Sequence, residues 1–94
     1  MTAYIVSQYD LLPEYDAYRR EATALNLKHD ARVITVSGTE EVIEGDWPFQ
    51  GLTIIRFNSV EHAREFIACD AYQEVKKLRA DAPPLTIVLV DGDG

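Results

Sequence analysis

Residues 44–57 read Glu44-Gly45-Asp46-Trp47-Pro48-Phe49-Gln50-Gly51-Leu52-Thr53-Ile54-Ile55-Arg56-Phe57. The first half is a turn-forming stretch, with glycine, proline and an aspartate that can bond its own backbone. The second half is a strand in which Leu52 and Ile54 point one way and Thr53, Ile55 and Phe57 the other. Apolar residues on both faces mark a strand covered on both sides, since a sheet open to water on one face alternates with polar residues. This strand is therefore expected near the centre of a small sheet, and the rest of the chain is placed around it.

Before it, Ala3 to Tyr9 is a first strand, rich in aromatic and β-branched residues. Pro13 opens a helix that runs to about His29, with Tyr15, Tyr18, Ala22, Leu25 and His29 forming an apolar stripe at spacings of three and four. Asp16 and Arg20 can pair on its wet side. Arg32 to Ser37 is a second strand, Gly38-Thr39 a turn, and Glu41 to Glu44 a short returning or extending strand. Asn58, with Glu61 three residues on, and Ser59 are alternative caps for a helix over Val60–Ala68 that buries Ala63, Phe66 and Ile67. Asp70 and Gln73 repeat the capping pattern, and residues 71–80 carry Ala71, Tyr72, Val75 and Leu78 inward. Pro83-Pro84 stops that segment, and Leu85 to Val90 is the last strand, again apolar on both faces.

The order strand, helix, strand, strand, helix, strand is the ferredoxin-like split β-α-β pattern: an α+β fold with a four-stranded antiparallel sheet and two helices on one face. The opposite face lacks a helix yet is apolar in both central-type strands. A second copy of the chain is the simplest cover, so a homodimer through the helix-free face is expected.

Ninety-four residues make one domain, residues 1–94, with a modest core. A net charge of −7 argues against nucleic-acid and membrane-surface partners, which call for a basic stripe. No apolar run reaches the length of a membrane span, and Tyr4-Ile5-Val6 already reads as strand, leaving no room for a signal peptide. A single cysteine, Cys69, fits a cytoplasmic protein and reads as a buried thiol. No motif implies a cofactor: phosphate-binding glycine loops and nucleotide fingerprints are absent, and haem or flavin has no support. Two histidines and one cysteine far apart give no zinc pattern, and neither Glu40, Glu41, Glu44 and Asp46 nor Asp91-Gly92-Asp93-Gly94 matches a calcium loop.

Glu44-Gly45-Asp46-Trp47, a strand ending in Phe57, then Ser59, Ala63-Arg64, Tyr72, Arg79 and a final strand ending in Asp91-Gly92 resemble the small bacterial proteins grouped as domain of unknown function 1330. The likeness spans residues 3–92. It implies the dimeric α/β-barrel superfamily, in which two ferredoxin-like sheets face each other and which also holds antibiotic-biosynthesis monooxygenases and muconolactone-isomerase-like enzymes. The family itself carries no established reaction. Two departures stand out: His29-Asp30-Ala31 replaces a usual His-Gly-Gly, and Arg56 stands where the family is often acidic.

Six residues are candidates for a site. His29 can act as acid or base, or merely end a helix. Asp46 beside Trp47 can orient a polar ligand against an indole wall, or be a structural turn. Tyr72 and Arg79, seven apart on a helical face, can line a pocket mouth. Arg56 shares strand parity with Leu52 and Ile54, so it needs a carboxylate partner or an anionic ligand if its guanidinium is buried. His62 is expected on a wet surface. These residues leave three functions open: a binder of a small organic molecule between helices and sheet, a cofactor-independent enzyme on the same pocket, or an interaction or stress-associated protein without chemistry.

Overall fold

The computed structural model describes residues 2–35, 39–48 and 51–92. Four antiparallel strands are formed by Thr2–Tyr9 (β1), Arg32–Val33 (β2), Gly51–Phe57 (β3) and Thr86–Gly92 (β4), in the order β2-β3-β1-β4. This is the ferredoxin-like order. The register pairs Ile5 with Ile55 and Leu89, and Val6 with Ile54 and Val88. Side chains alternate across a strand, so Ala3, Ile5 and Phe57 share one face, where they join Tyr18, Ala31, Ala63, Phe66 and Tyr72 in the core. All helices pack on that face. No helix among the described residues is long and apolar enough to cross a membrane.

Between β1 and β2 a 3₁₀ turn, Pro13–Tyr15, leads into helix α1, Asp16–Lys28. The expected Asp16–Arg20 ion pair does not form; the salt bridge among the described residues is Lys77–Glu74. The C-terminus of α1 closes with Asp30 N donating to Leu27 O and Ala31 N to Asn26 O, while Asp30 takes a left-handed φ of 58°. That is the Schellman arrangement, whose left-handed position normally falls to glycine. Asp30 is among the few residue types that tolerate it, and Ala31 is buried directly after it. The departure from His-Gly-Gly therefore preserves the turn.

The second helical segment divides, as the renewed capping pattern at Asp70 anticipates, into α2 (Val60–Ala68) and α3 (Asp70–Lys76), which makes three α-helices among the described residues where the split β-α-β pattern counts two. Cys69 makes the break: its extended backbone ends α2, and its Sγ accepts from Tyr72 N at 3.4 Å to cap α3. Cys69 is thus a half-buried cap, and Asp70 is the first helical residue instead of the cap. At the start of α2 the cap is Ser59, which accepts from His62 N at 3.0 Å, and not Asn58. Ala71 and Leu78 face solvent where an inward position was expected, because α3 ends at Lys76 and the chain tightens into a 3₁₀ turn, Lys77–Arg79.

Residues 41–44 form no strand; they run irregularly beside β3 with Val42 and Ile43 exposed. β2 is shorter than expected, although Ile34 N and Thr35 Oγ1 still bond to β3. Val36, Ser37, Gly38, Phe49 and Gln50 lie outside the described residues, and with them parts of the expected second strand, turn and central loop. At the head of β3, a Cβ on Gly51 would sit 2.6 Å from Tyr9 Cε2. Glycine is what lets the Tyr9 ring lie across the strand there.

Candidate functional site

Two concavities lie on the helix side of the sheet, on either side of one pair of tyrosines. The first is a cavity of about 140 Å³ between α1 and the β2-β3-β1 part of the sheet. α1 contributes Tyr18, Ala22 and Asn26 from successive turns of one face, and the sheet contributes Ser7, Thr53 and Ile55. The apolar stripe of α1 thus carries a polar residue, Asn26, that is 2% exposed and whose Oδ1 has no hydrogen-bond partner. Buried acceptors of this kind cost about 1–3 kcal/mol unless satisfied. At the side of the cavity the Tyr9 hydroxyl lies 2.6 Å from Thr53 Oγ1, and the Arg19 guanidinium sits over the Tyr9 ring at 5.5 Å. No carboxylate or imidazole lines this cavity among the described residues.

The second concavity, about 290 Å³, lies between α2-α3 and the edge strand β4. It brings together two predicted residues, Tyr72 and Arg79. The wall between the two spaces is Tyr18 and Tyr72, whose hydroxyls are 2.9 Å apart, with the Arg79 guanidinium 4.8 Å from the centre of the Tyr18 ring. Burial, and then the Tyr72 hydrogen bond, push the Tyr18 hydroxyl well above the ordinary tyrosine value of 10.0, with Arg79 opposing only in part. Tyr18 therefore stays protonated at neutral pH and can serve as a donor but not as a base.

A raised phenol has a consequence for stability. Below pH 10 both folded and unfolded states hold the proton, so the contribution is fully present. As pH rises past 10 the unfolded state loses its proton first, and stability falls by at most about 1.4 kcal/mol per pH unit until the folded phenol also ionises. Chemical denaturation from pH 8 to 11.5 should show this alkaline fall, and Tyr18→Phe should flatten it. An identical slope in the variant would exclude Tyr18 as its source.

The other predicted residues are dispersed. His29, at the end of α1, stacks edge-on with Phe66 at 5.4 Å, and its carbonyl accepts from His62 Nε2 at 2.5 Å. His62 is not on a wet surface: Asn58 N donates to its Nδ1 at 3.2 Å and its ring packs on Phe57. With Nδ1 accepting, the proton resides on Nε2, so His62 staples the start of α2 to the end of α1. Asp46 and Trp47 border a separate open depression beside Leu52. Arg56 is exposed on the helix-free face, opposite Arg32 in the register, with no ion pair in its own chain among the described residues. Nor is there, among the described residues, a cluster of three His, Cys, Asp or Glu that could hold a metal.

The family model described as Domain of unknown function (DUF1330) matches residues 2–93. No curated protein matches the chain. Among solved structures, a protein of unknown function from Rhodopseudomonas palustris is similar at a TM-score of 0.72 and 18% identity, over 99% of this chain and 83% of that one. A dimeric protein of unknown function and ferredoxin-like fold from Bacteroides fragilis is similar at 0.61 and 12%, over 97% and 95%. A protein from Nitrosomonas europaea, provisionally described as an antibiotic biosynthesis monooxygenase, is similar at 0.60 and 13%, over 98% and 89%. At these identities the likeness is one of fold.

Proposed function

We propose, from the premise that the chain belongs to the domain of unknown function 1330 family, that it is a homodimer whose protomers each bind a small organic molecule between α1 and the sheet. The observation that carries the binding role is Asn26: a buried carboxamide at the wall of a 140 Å³ cavity with an unsatisfied acceptor. A void of about 150 Å³ accommodates a benzene ring, so the ligand is ring-sized. It carries a hydroxyl or amine that donates to Asn26, and Arg19 at the side favours a second, electron-rich substituent. Binding is favoured over acid–base catalysis because no carboxylate or imidazole lines the cavity among the described residues and the Tyr18 phenol is held neutral.

The dimer is supported by the helix-free face, where Ile54, Val6 and Val88 form one apolar row across three strands. Ile34, Val88 and Val90 on this face are 47%, 48% and 42% exposed in the single chain. A contiguous apolar patch of this kind marks an interaction surface.

Ligand binding is tested by thermal shift with phenols, anilines and hydroxybenzoates, against their methyl-ether or unsubstituted counterparts. Ligand at a hundred times its Kd stabilises by about 2.7 kcal/mol, which for a domain of this size raises Tm by on the order of 10 °C. Asn26→Leu should fold, since it removes an unsatisfied acceptor, and should lose most of that shift. Equal shifts for donor-bearing and donor-free rings, or an undiminished shift in Asn26→Leu, would refute the role of Asn26. The enzyme alternative requires turnover of any ligand found, with no loss of binding when turnover is removed.

A further inference from the structure

The second concavity shares no lining residue with the first and has a different chemistry. Its floor is apolar, made of Ile67, Ile87 and Leu89. Its rim carries Arg64, Lys76 and Arg79, and no acidic residue lines it among the described residues. In a chain of net charge −7 the groove therefore gathers three positive charges on one rim. None of the three forms an ion pair among the described residues, so none is neutralised by a carboxylate of these residues. Arg79 has a further unmet demand: its Nε is buried without an acceptor, and its guanidinium is held by the Tyr18 ring.

We infer that this groove is a second binding site, for a medium-chain carboxylate whose head group meets Arg64, Lys76 and Arg79 and whose alkyl tail lies on Ile67, Ile87 and Leu89. The class follows from the two halves of the lining. A cationic rim selects an anion, and an arginine pre-organised by stacking on an aromatic ring favours a planar carboxylate over a spherical ion. An apolar floor selects a tail, and low-dielectric walls strengthen the attraction of the rim while the rest of the acidic surface repels anions. The volume, about 290 Å³, is roughly twice the void that holds a benzene ring, which sets the tail at about six to eight carbons. Dimerisation through the helix-free face leaves the groove open, because it lies on the helix side of the sheet.

The test is calorimetric titration of the full chain with octanoate and with octan-1-ol, followed by methyl chemical-shift mapping. Octanoate is expected to bind at least tenfold more tightly than the neutral alcohol, with affinity falling as salt rises. Its shifts should centre on Ile67, Ile87 and Leu89. The double variant Arg64→Gln/Lys76→Gln changes two exposed side chains, so it should fold as the parent does and bind octanoate at least tenfold more weakly. The proposal is overturned if octanoate produces no heat, if the alcohol binds as well, if the double variant binds unchanged, or if the shifts fall on Val33 and Ile55 in the first cavity.

Discussion

On the proposed dimer, Val88→Glu should leave only a folded monomer of 10.6 kDa. Val88 lies opposite Val6, which lies opposite Ile54, so it sits in the apolar row that crosses the helix-free face. In the single chain it is 48% exposed, and a glutamate there meets water at little cost. In a two-fold dimer each interface would contain two such carboxylates. Removing each from water without a partner costs several kcal/mol, against an interface expected to bury about 800 Å² per protomer. The face also carries Arg32 and Arg56, paired in register and both exposed. Like charges set side by side are tolerable in water and call for counter-charges in an interface. Sedimentation equilibrium at micromolar concentration reads the outcome. A parent protein that already sediments at 10.6 kDa, or a Val88→Glu variant that stays dimeric, would remove this face as the interface.

Much of the architecture is written in local patterns. Aromatic and β-branched enrichment marks β1, apolar runs covering both faces mark β3 and β4, and the order of the elements gives the ferredoxin-like arrangement. The uncovered apolar face was legible too, because Leu52, Ile54, Val88 and Val90 have no reason to be apolar in a half-wet sheet. Competition between neighbours was not legible. Asn58 and Ser59 are both good caps, and the choice of Ser59 depends on His62, whose ring is drawn inward by Phe57 and the His29 carbonyl. The break after Ala68 was legible in the second capping pattern, but the cap itself was not, because a thiol is an unusual cap; Val42 and Ile43 are β-branched yet form no strand.

One juxtaposition was readable: Tyr72 and Arg79, seven apart, line the same groove, because spacing along one segment is a local property. No local pattern relates His29, at the end of α1, to Asp46 and Trp47 in the loop before β3, and the structure keeps them apart. Asn26, on which the proposed binding role rests, did carry a signal in the sequence. It continues the series Tyr18, Ala22, Asn26 at intervals of four, so it is a polar residue on an apolar stripe, the observation that most often separates a site from a core.

Phe66→Ala should be the most destabilising single change on the helix side, and it tests how the two concavities are held apart. Phe66 is 2% exposed. Its ring centre lies 5.4 Å from that of Phe57 on the sheet, 5.4 Å from His29 at the end of α1, and 5.3 Å from Tyr72 on α3. It therefore joins three elements, and through Tyr72 it braces the tyrosine pair that walls off both spaces. Truncating a buried phenylalanine costs about 3–5 kcal/mol, a large share of the 5–15 kcal/mol typical of a domain. Tm should fall by on the order of 15 °C or more for a chain of this length. Phe66→Leu, which refills most of the volume but removes the three ring contacts, should recover only part of the loss, since aromatic pairs add about 0.5–1.5 kcal/mol each beyond burial. Parent and variants must be compared at one protein concentration, because self-association adds to apparent stability by mass action. A loss below about 1.5 kcal/mol on Phe66→Ala, well under the range for such truncations, would mean that this aromatic cluster is not the keystone of the helix layer.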